Sequence, residues 1–148
     1  TVALTKAVLP HMIAGGGGHI AATSSITGRF GFPLRSAYSA SKQALHGFFE
    51  TLLIEHRKDR INVSVIIPGR VQTAISLHAL TAEGKEHGRM DDGQKGGVTA
   101  ARAAEQIIRG LQHNKREILV GSRELLMLKI RKYLPALFFR IAGRIKPM

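Results

Sequence analysis

A chain of 148 residues, 44% of them apolar and few of them aromatic, is long enough for one domain with a real core and too short for two ordinary ones. It has no cysteine, which excludes disulfides, thiolate zinc sites and cysteine nucleophiles together and fits a reducing, cytoplasmic setting; redox chemistry would have to come from a cofactor. The formal charge of +12 raises nucleic acid or an anionic membrane as partners, but it is concentrated late: residues 115–148 hold nine Lys or Arg against two acids, a net +7.

Residues 2–13 place Val2, Leu4, Val8, Leu9, Met12 and Ile13 at helical spacing, and Gly15 to Gly18 stop that helix. The chain thus opens in mid-helix, without a Met or a basic leader, and is expected to be a piece of a longer protein. Residues 20–24 read as a short buried strand, and 25–36, punctuated by Gly28, Gly31 and Pro33, as an exposed loop. From 37 to about 59 only Gly47 interrupts a helix whose apolar face is expected to be Ala37, Ala40, Ala44, Leu45, Phe48, Leu52 and Leu53. Residues 61–67 are β-branched along nearly their whole length, as in a central parallel strand covered on both sides, and Pro68-Gly69 ends it.

Residues 74–97 mix Gly, His and charges without a firm period and read as a mobile lid over a site. A helix is expected over 98–113, through Ala101, Ala104, Ile107, Ile108 and Leu111, and a last strand over 117–121. Strands alternating with helices require right-handed crossovers and a parallel sheet, so the fold class is α/β, doubly wound, with three strands. The edge at residues 20–24 is expected to pair with strands that this sequence does not contain.

Tyr38 and Lys42 lie four apart at the start of a helix, so their side chains share one face. A phenol titrates at about 10 and is a poor acid-base group at neutral pH, but a neighbouring ammonium favours the phenolate and makes proton exchange practical. Y-x-x-x-K alone also arises as a surface pair. Here its context is Y-S-A-S-K-Q-A-L, preceded thirteen residues earlier by Ser25 at a strand end and followed by a strand, Pro68-Gly69, Val71 and Thr73.

In this ordered set the sequence resembles the short-chain dehydrogenase/reductase family over residues 1 to about 121, including Leu9-Pro10-His11-Met12 at a helix end. The resemblance implies the C-terminal half of a Rossmann-type sheet; residues 122–148 read from their own pattern as a basic amphipathic helical extension of the same domain. It implies hydride transfer between NAD or NADP and an alcohol or ketone. Ser25, Tyr38 and Lys42 would be catalytic: Ser25 holding the substrate oxygen, Tyr38 exchanging its proton, Lys42 favouring the phenolate and binding the nicotinamide ribose. Pro68, Gly69, Val71 and Thr73 would border the nicotinamide, with Thr73 and the backbone at Val71 fixing its carboxamide. Homo-oligomers pairing through residues 1–14 and 37–59 are expected on the same ground. An inactive cofactor- or lipid-binding relative is the rival reading.

The family's glycine-rich phosphate turn, its residue selecting NAD or NADP, its N-A-G segment and its catalytic asparagine belong before Thr1. Gly15 to Gly18 is no substitute, because it follows a helix and precedes a strand, the reverse of a dinucleotide cradle. Ser24 competes with Ser25, on the other side of the strand. The seven histidines are scattered without ligand spacing, so no metal site is expected and most should lie on the surface. Phe30 and Phe32 either contact an apolar substrate or pack the loop; Arg70 faces cofactor or solvent.

Residues 124–146 form a basic amphipathic stretch broken by Pro135, too charged to span a bilayer. It lies on an anionic membrane, covers the substrate entrance, or packs on the sheet with a solvated basic face. A nucleic-acid partner is not expected, since aromatics do not alternate with basic residues along strands.

Overall fold

The computed structural model describes residues 1–76, 84, 88 and 95–145. In chain order its elements are α1 (Val2–Ala14), β1 (Gly18–Thr23), α2 (Ser36–Glu55), β2 (Ile61–Pro68), β3 (Val71–Gln72), β4 (Val98–Thr99), α3 (Ala100–Gln112), β5 (Glu117–Val120), α4 (Leu126–Tyr133) and α5 (Pro135–Ala142), with short 3-10 turns at Ile26–Gly28, Ala74–Ser76 and Arg123–Leu125.

The β-branched run of β2 makes it the central strand. It pairs in parallel with β1, Gly18 opposite Ile61 through Thr23 opposite Ile66, and with β5, Val65 opposite Glu117 through Pro68 opposite Val120. Alternation sends Val63, Val65 and Ile67 to one face, where Phe49 and Leu52 of α2 bury and Leu9 and Met12 of α1 pack. Ile66 points to the other, joining Ile118 and Val120 of β5 beneath Ala103, Ile107 and Leu111 of α3. Helices on both faces of a parallel sheet are the doubly wound arrangement expected from the sequence. Phe49, 1% exposed, is the largest contributor to the first core; its truncation to Ala should cost about 3–5 kcal/mol.

The expected alanine face of α2 is corrected. Ala37, Ala40 and Ala44 are exposed, and the buried line is Ser39, His46, Phe49 and Leu52. Polar bonds decide this rotation: the Ser24 hydroxyl, buried behind β1, donates to the Lys42 carbonyl at 3.0 Å and lies 3.0 Å from His46 Nε2. α2 also ends at Glu55, short of residue 59, and the chain turns through Arg60 (φ 57°) into β2.

Val98 and Thr99 form β4 and not the first turn of a helix. They pair in parallel with β3, and the Thr99 hydroxyl caps α3 by accepting from Arg102 N–H at 3.2 Å. Two-residue strands are too short to carry a period. Of the lid expected over 74–97, residues 77–83, 85–87 and 89–94 lie outside the described residues.

The C-terminal stretch is two helices, α4 and α5, meeting at Leu134-Pro135, where Leu134 leaves helical geometry (φ −134°, ψ 61°) and Pro135 starts α5. Phe138 and Ala142, four apart, turn inward onto Phe30 in a third apolar cluster that includes Ile26, Phe32, Met127 and Leu128. The Phe30 and Phe138 rings meet edge to face with centroids 4.9 Å apart. Phe30, 6% exposed, is thus spent on loop packing.

Candidate active site

All the residues singled out by the motif lie at or beyond the carboxyl ends of β1 and β2, the end of a parallel sheet where ligands of such folds bind. Ser25 follows β1 by two residues in extended backbone (φ −163°, ψ 162°) and opens the turn at Ile26–Gly28. Its oxygen accepts from Thr27 N–H at 3.2 Å and from the Thr27 hydroxyl at 3.1 Å. Both bonds are accepted, so the Ser25 proton is not committed to either of them. Ser24 differs: its proton is committed to the Lys42 carbonyl, inside the protein. The two neighbouring serines thus differ: Ser24 is buried and docks α2 at the end of β1, and Ser25 is half-buried in the turn that follows.

Tyr38 lies in the first turn of α2, with its side chain about half exposed. Lys42, one turn on, donates from Nζ to the Thr23 carbonyl at 3.0 Å, and Nζ stands 5.8 Å from the Tyr38 ring centroid. Helix and strand end together hold the ammonium beside the phenol.

At the end of β2 the stretch from Pro68 to Thr73 is clamped from two sides. Arg70 C=O accepts from Val98 N–H at 3.0 Å, Val71 pairs with Val98, and the Gln72 amide donates to the Lys95 and Gly97 carbonyls. On the other side Glu124 accepts from Arg70 N–H at 3.0 Å, from Ser122 N–H at 3.1 Å and from the Ser122 hydroxyl at 2.9 Å. Burial opposes the charge on Glu124, but these bonds and one from its own N–H prevail and hold its carboxyl below the usual glutamate value. Its approach explains two glycines: a Cβ at Gly69 would fall 2.5 Å from Glu124 Oε1, and one at Gly121 (φ 150°) would strike the same oxygen. Thr73, Gln72, Ala74 and Lys95 line an open cleft of about 500 Å³.

His46 and Glu124 escaped the sequence reading. His46 is buried, an exception among the described histidines to the expectation that most lie on the surface; its place seven residues after the buried Ser39 and three before Phe49 puts it on the inward face. Because the Ser24 proton goes to Lys42, His46 Nε2 must donate to Ser24, leaving Nδ1 unprotonated and without a hydrogen-bond partner. Burial first, and the nearby Arg29 guanidinium second, hold its pKa below 6.5. Glu117, 4.0 Å from Nδ1, pulls the other way but is already paired with Arg29 at 2.8 Å.

A lysine ammonium held at the end of β1 and an exposed threonine past the end of β2 are donor types that suit the nicotinamide-ribose part of a dinucleotide, and Tyr38 stands beside the lysine. Among the described residues the strand-to-helix connections at that end carry isolated glycines, Gly28 and Gly31 after β1 and Gly121 after β5, without the G-x-G-x-x-G spacing of a dinucleotide cradle. Gly15 to Gly18 lie at the amino end of β1, opposite Ser25, and Gly17 packs directly on Arg60. Among the described residues no group of histidines and carboxylates is placed to hold a metal.

The chain matches the short chain dehydrogenase family model over residues 1–84, which contain Ser25, Tyr38, Lys42 and the Pro68 to Thr73 stretch. It is 43% identical over 141 residues to Dehydrogenase/reductase SDR family member 7B of Mus musculus, covering 95% of this chain and 44% of that protein. To Dehydrogenase/reductase SDR family protein 7-like of Drosophila melanogaster it is 39% identical over 148 residues, covering 97% of this chain and 44% of the relative. The chain thus spans less than half the length of these relatives. Among solved structures, a short-chain dehydrogenase from Streptomyces avermitilis superposes with a TM-score of 0.69 at 26% identity, covering 95% of this chain and 55% of that one. A short chain dehydrogenase from Burkholderia cenocepacia, in complex with NADP, superposes with a TM-score of 0.74 at 19% identity over 97% of this chain and 53% of its own. With that family match and this sheet, the chain belongs to the short-chain dehydrogenase/reductase family.

Proposed function

We propose that the protein serves hydride transfer between the nicotinamide of NAD or NADP and the carbon of an apolar alcohol or ketone. The observation that carries the reading is the pairing of Tyr38 with a lysine whose ammonium is anchored on the last carbonyl of β1. When bound, the cofactor supplies or accepts the hydride. The residues of this chain handle the oxygen. In the reducing direction the Ser25 hydroxyl donates to the carbonyl oxygen and orients it, and the Tyr38 hydroxyl delivers the proton as the C=O electron pair moves onto that oxygen. The Lys42 ammonium stabilises the resulting phenolate and binds the ribose hydroxyls, and solvent returns the proton to Tyr38. Glu124 holds the Pro68 to Thr73 turn against which the nicotinamide would lie.

Reduction of an apolar ketone by the full-length protein, with the reduced cofactor carrying deuterium at the transferring carbon, tests this. Deuterium should appear on the carbinol carbon and not exchange with water. Cofactor binding without any label transfer across a panel of apolar ketones and alcohols would favour the inactive cofactor-binding relative.

A further inference from the structure

The hairpin of α4 and α5 exposes an apolar corner in a stretch of sequence rich in cations. Leu126, Tyr133, Leu134 and Phe139 are each more than half exposed and Leu137 is 41% exposed. Between residues 126 and 145 the sequence holds five cations, Lys129, Arg131, Lys132, Arg140 and Arg144, and no acid. The two acids just before the hairpin are spent elsewhere, Glu117 on Arg29 and Glu124 on backbone and Ser122. The charge therefore has no neutralising partner within the hairpin.

The two kinds of side chain share faces. Leu126, Lys129 and Tyr133 follow one another at helical intervals on α4, and Leu137 and Arg140 do so on α5. Arg131 crosses between the helices, its guanidinium 5.8 Å from the Phe138 ring centroid and 5.1 Å from that of Phe139, and ties the pair together. Phe138 and Ala142 face inward onto Phe30, so the hairpin sits on the loop that follows Ser25.

We infer that this hairpin is a docking surface for an anionic lipid bilayer, with Tyr133, Leu134, Leu137 and Phe139 entering the headgroup boundary and Lys129, Lys132 and Arg140 meeting lipid phosphates. Charge decides the occupant. A second copy would bring a like-charged surface against this one, whereas an anionic bilayer neutralises the cations while taking the apolar corner out of water. A nucleic acid would meet the cations but leave Leu134 and Leu137 wet. No helix among the described residues is long and apolar enough to cross a membrane, so the contact is peripheral. It places the bilayer beside the loop after Ser25, a short path for an apolar substrate. The inference is independent of the hydride-transfer reading, because vesicle binding requires neither cofactor nor turnover.

The test is sedimentation of the purified protein with vesicles of phosphatidylcholine alone and of phosphatidylcholine with one part in four phosphatidylserine. The protein should sediment with the anionic vesicles only. Removing three cations together (Lys129→Gln, Lys132→Gln, Arg140→Gln) should lower partitioning by about a hundredfold, roughly fivefold for each. Leu137→Ser with Phe139→Ser should lower it by tenfold or more at unchanged charge. Far-UV circular dichroism of the exposed-site variants checks that each is folded. The chain has no tryptophan, so Tyr133→Trp puts an indole at the corner. Its emission should shift to the blue with anionic vesicles. Equal sedimentation with neutral vesicles, or undiminished binding by the triple charge variant, would overturn the inference. So would an indole already shielded from iodide without lipid, which means that protein covers the corner, or one shifted equally by duplex DNA.

Discussion

The Lys42 ammonium donates to the carbonyl oxygen of Thr23 at 3.0 Å, and so the cation beside Tyr38 is held by the last residue of β1 as well as by its own helix. A long, flexible side chain loses much of its freedom in this way before any ligand arrives, which lowers the entropy cost of using its charge.

Lys42→Met should therefore raise the KM for the cofactor and lower kcat by about a hundredfold or more, as loss of both the ribose contact and the phenolate's counter-charge requires. Lys42→Arg should not restore activity, since a planar guanidinium cannot take the compact position of the ammonium on the Thr23 carbonyl. Steady-state kinetics on both variants measures this; full activity of the arginine variant would place the requirement in charge alone.

Ser24 and Ser25 should separate stability from turnover. Ser24→Ala leaves the His46 Nε2–H and the Lys42 carbonyl without their partner and should cost about 1–3 kcal/mol in urea unfolding. Turnover of the folded fraction should stay within about threefold. Ser25→Ala removes the proposed donor to the substrate oxygen and should cut kcat by about a hundredfold, with a stability loss of at most about 1 kcal/mol from the lost turn bond to Thr27.

Acidification should loosen the seat of α2 through His46. Its folded pKa lies below the ordinary 6.5, so between those two values the unfolded chain takes up a proton that the native state refuses. The contribution is fully present above 6.5 and is lost as pH falls through the folded pKa. Urea midpoints measured across this interval should decline more steeply in the wild type than in His46→Gln, whose amide can donate to Ser24 without titrating. Parallel curves would assign the decline to other groups.

Glu124 contributes in a lower pH window. Its folded pKa is depressed below 4.5, so its stabilisation is complete above that value and disappears as pH falls through the folded pKa. Glu124→Gln should be less stable than wild type at neutral pH and equal to it in strong acid. Because the carboxylate carries Arg70 N–H, the same variant should weaken cofactor binding at neutral pH, read by titration of cofactor fluorescence.

The parallel strands and most helices were legible because periodicity and β-branching report burial directly: residues 61–67 read as the central strand and they are. The α2 face was misread because apolar alanines outweighed Ser39 and His46 on a hydrophobic count. The seating bonds come from Ser24, which is far away in sequence. Lys42 on the Thr23 carbonyl and Glu124 under Arg70 were invisible for the same reason: each joins groups 19 and 54 residues apart through a single side chain. The positions of Ser25, Tyr38 and Lys42 at one end of the sheet followed from order along the chain, whereas the spare proton on Ser25 required the Thr27 bonds to be seen.

The most direct measurement is turnover and cofactor affinity of Tyr38→Phe in the full-length protein. The account predicts cofactor binding unchanged within about twofold and ketone reduction down by at least about a hundredfold, because the variant removes the hydroxyl that delivers the proton while Lys42 keeps its place on the Thr23 carbonyl. Reduction at the wild-type rate would contradict it.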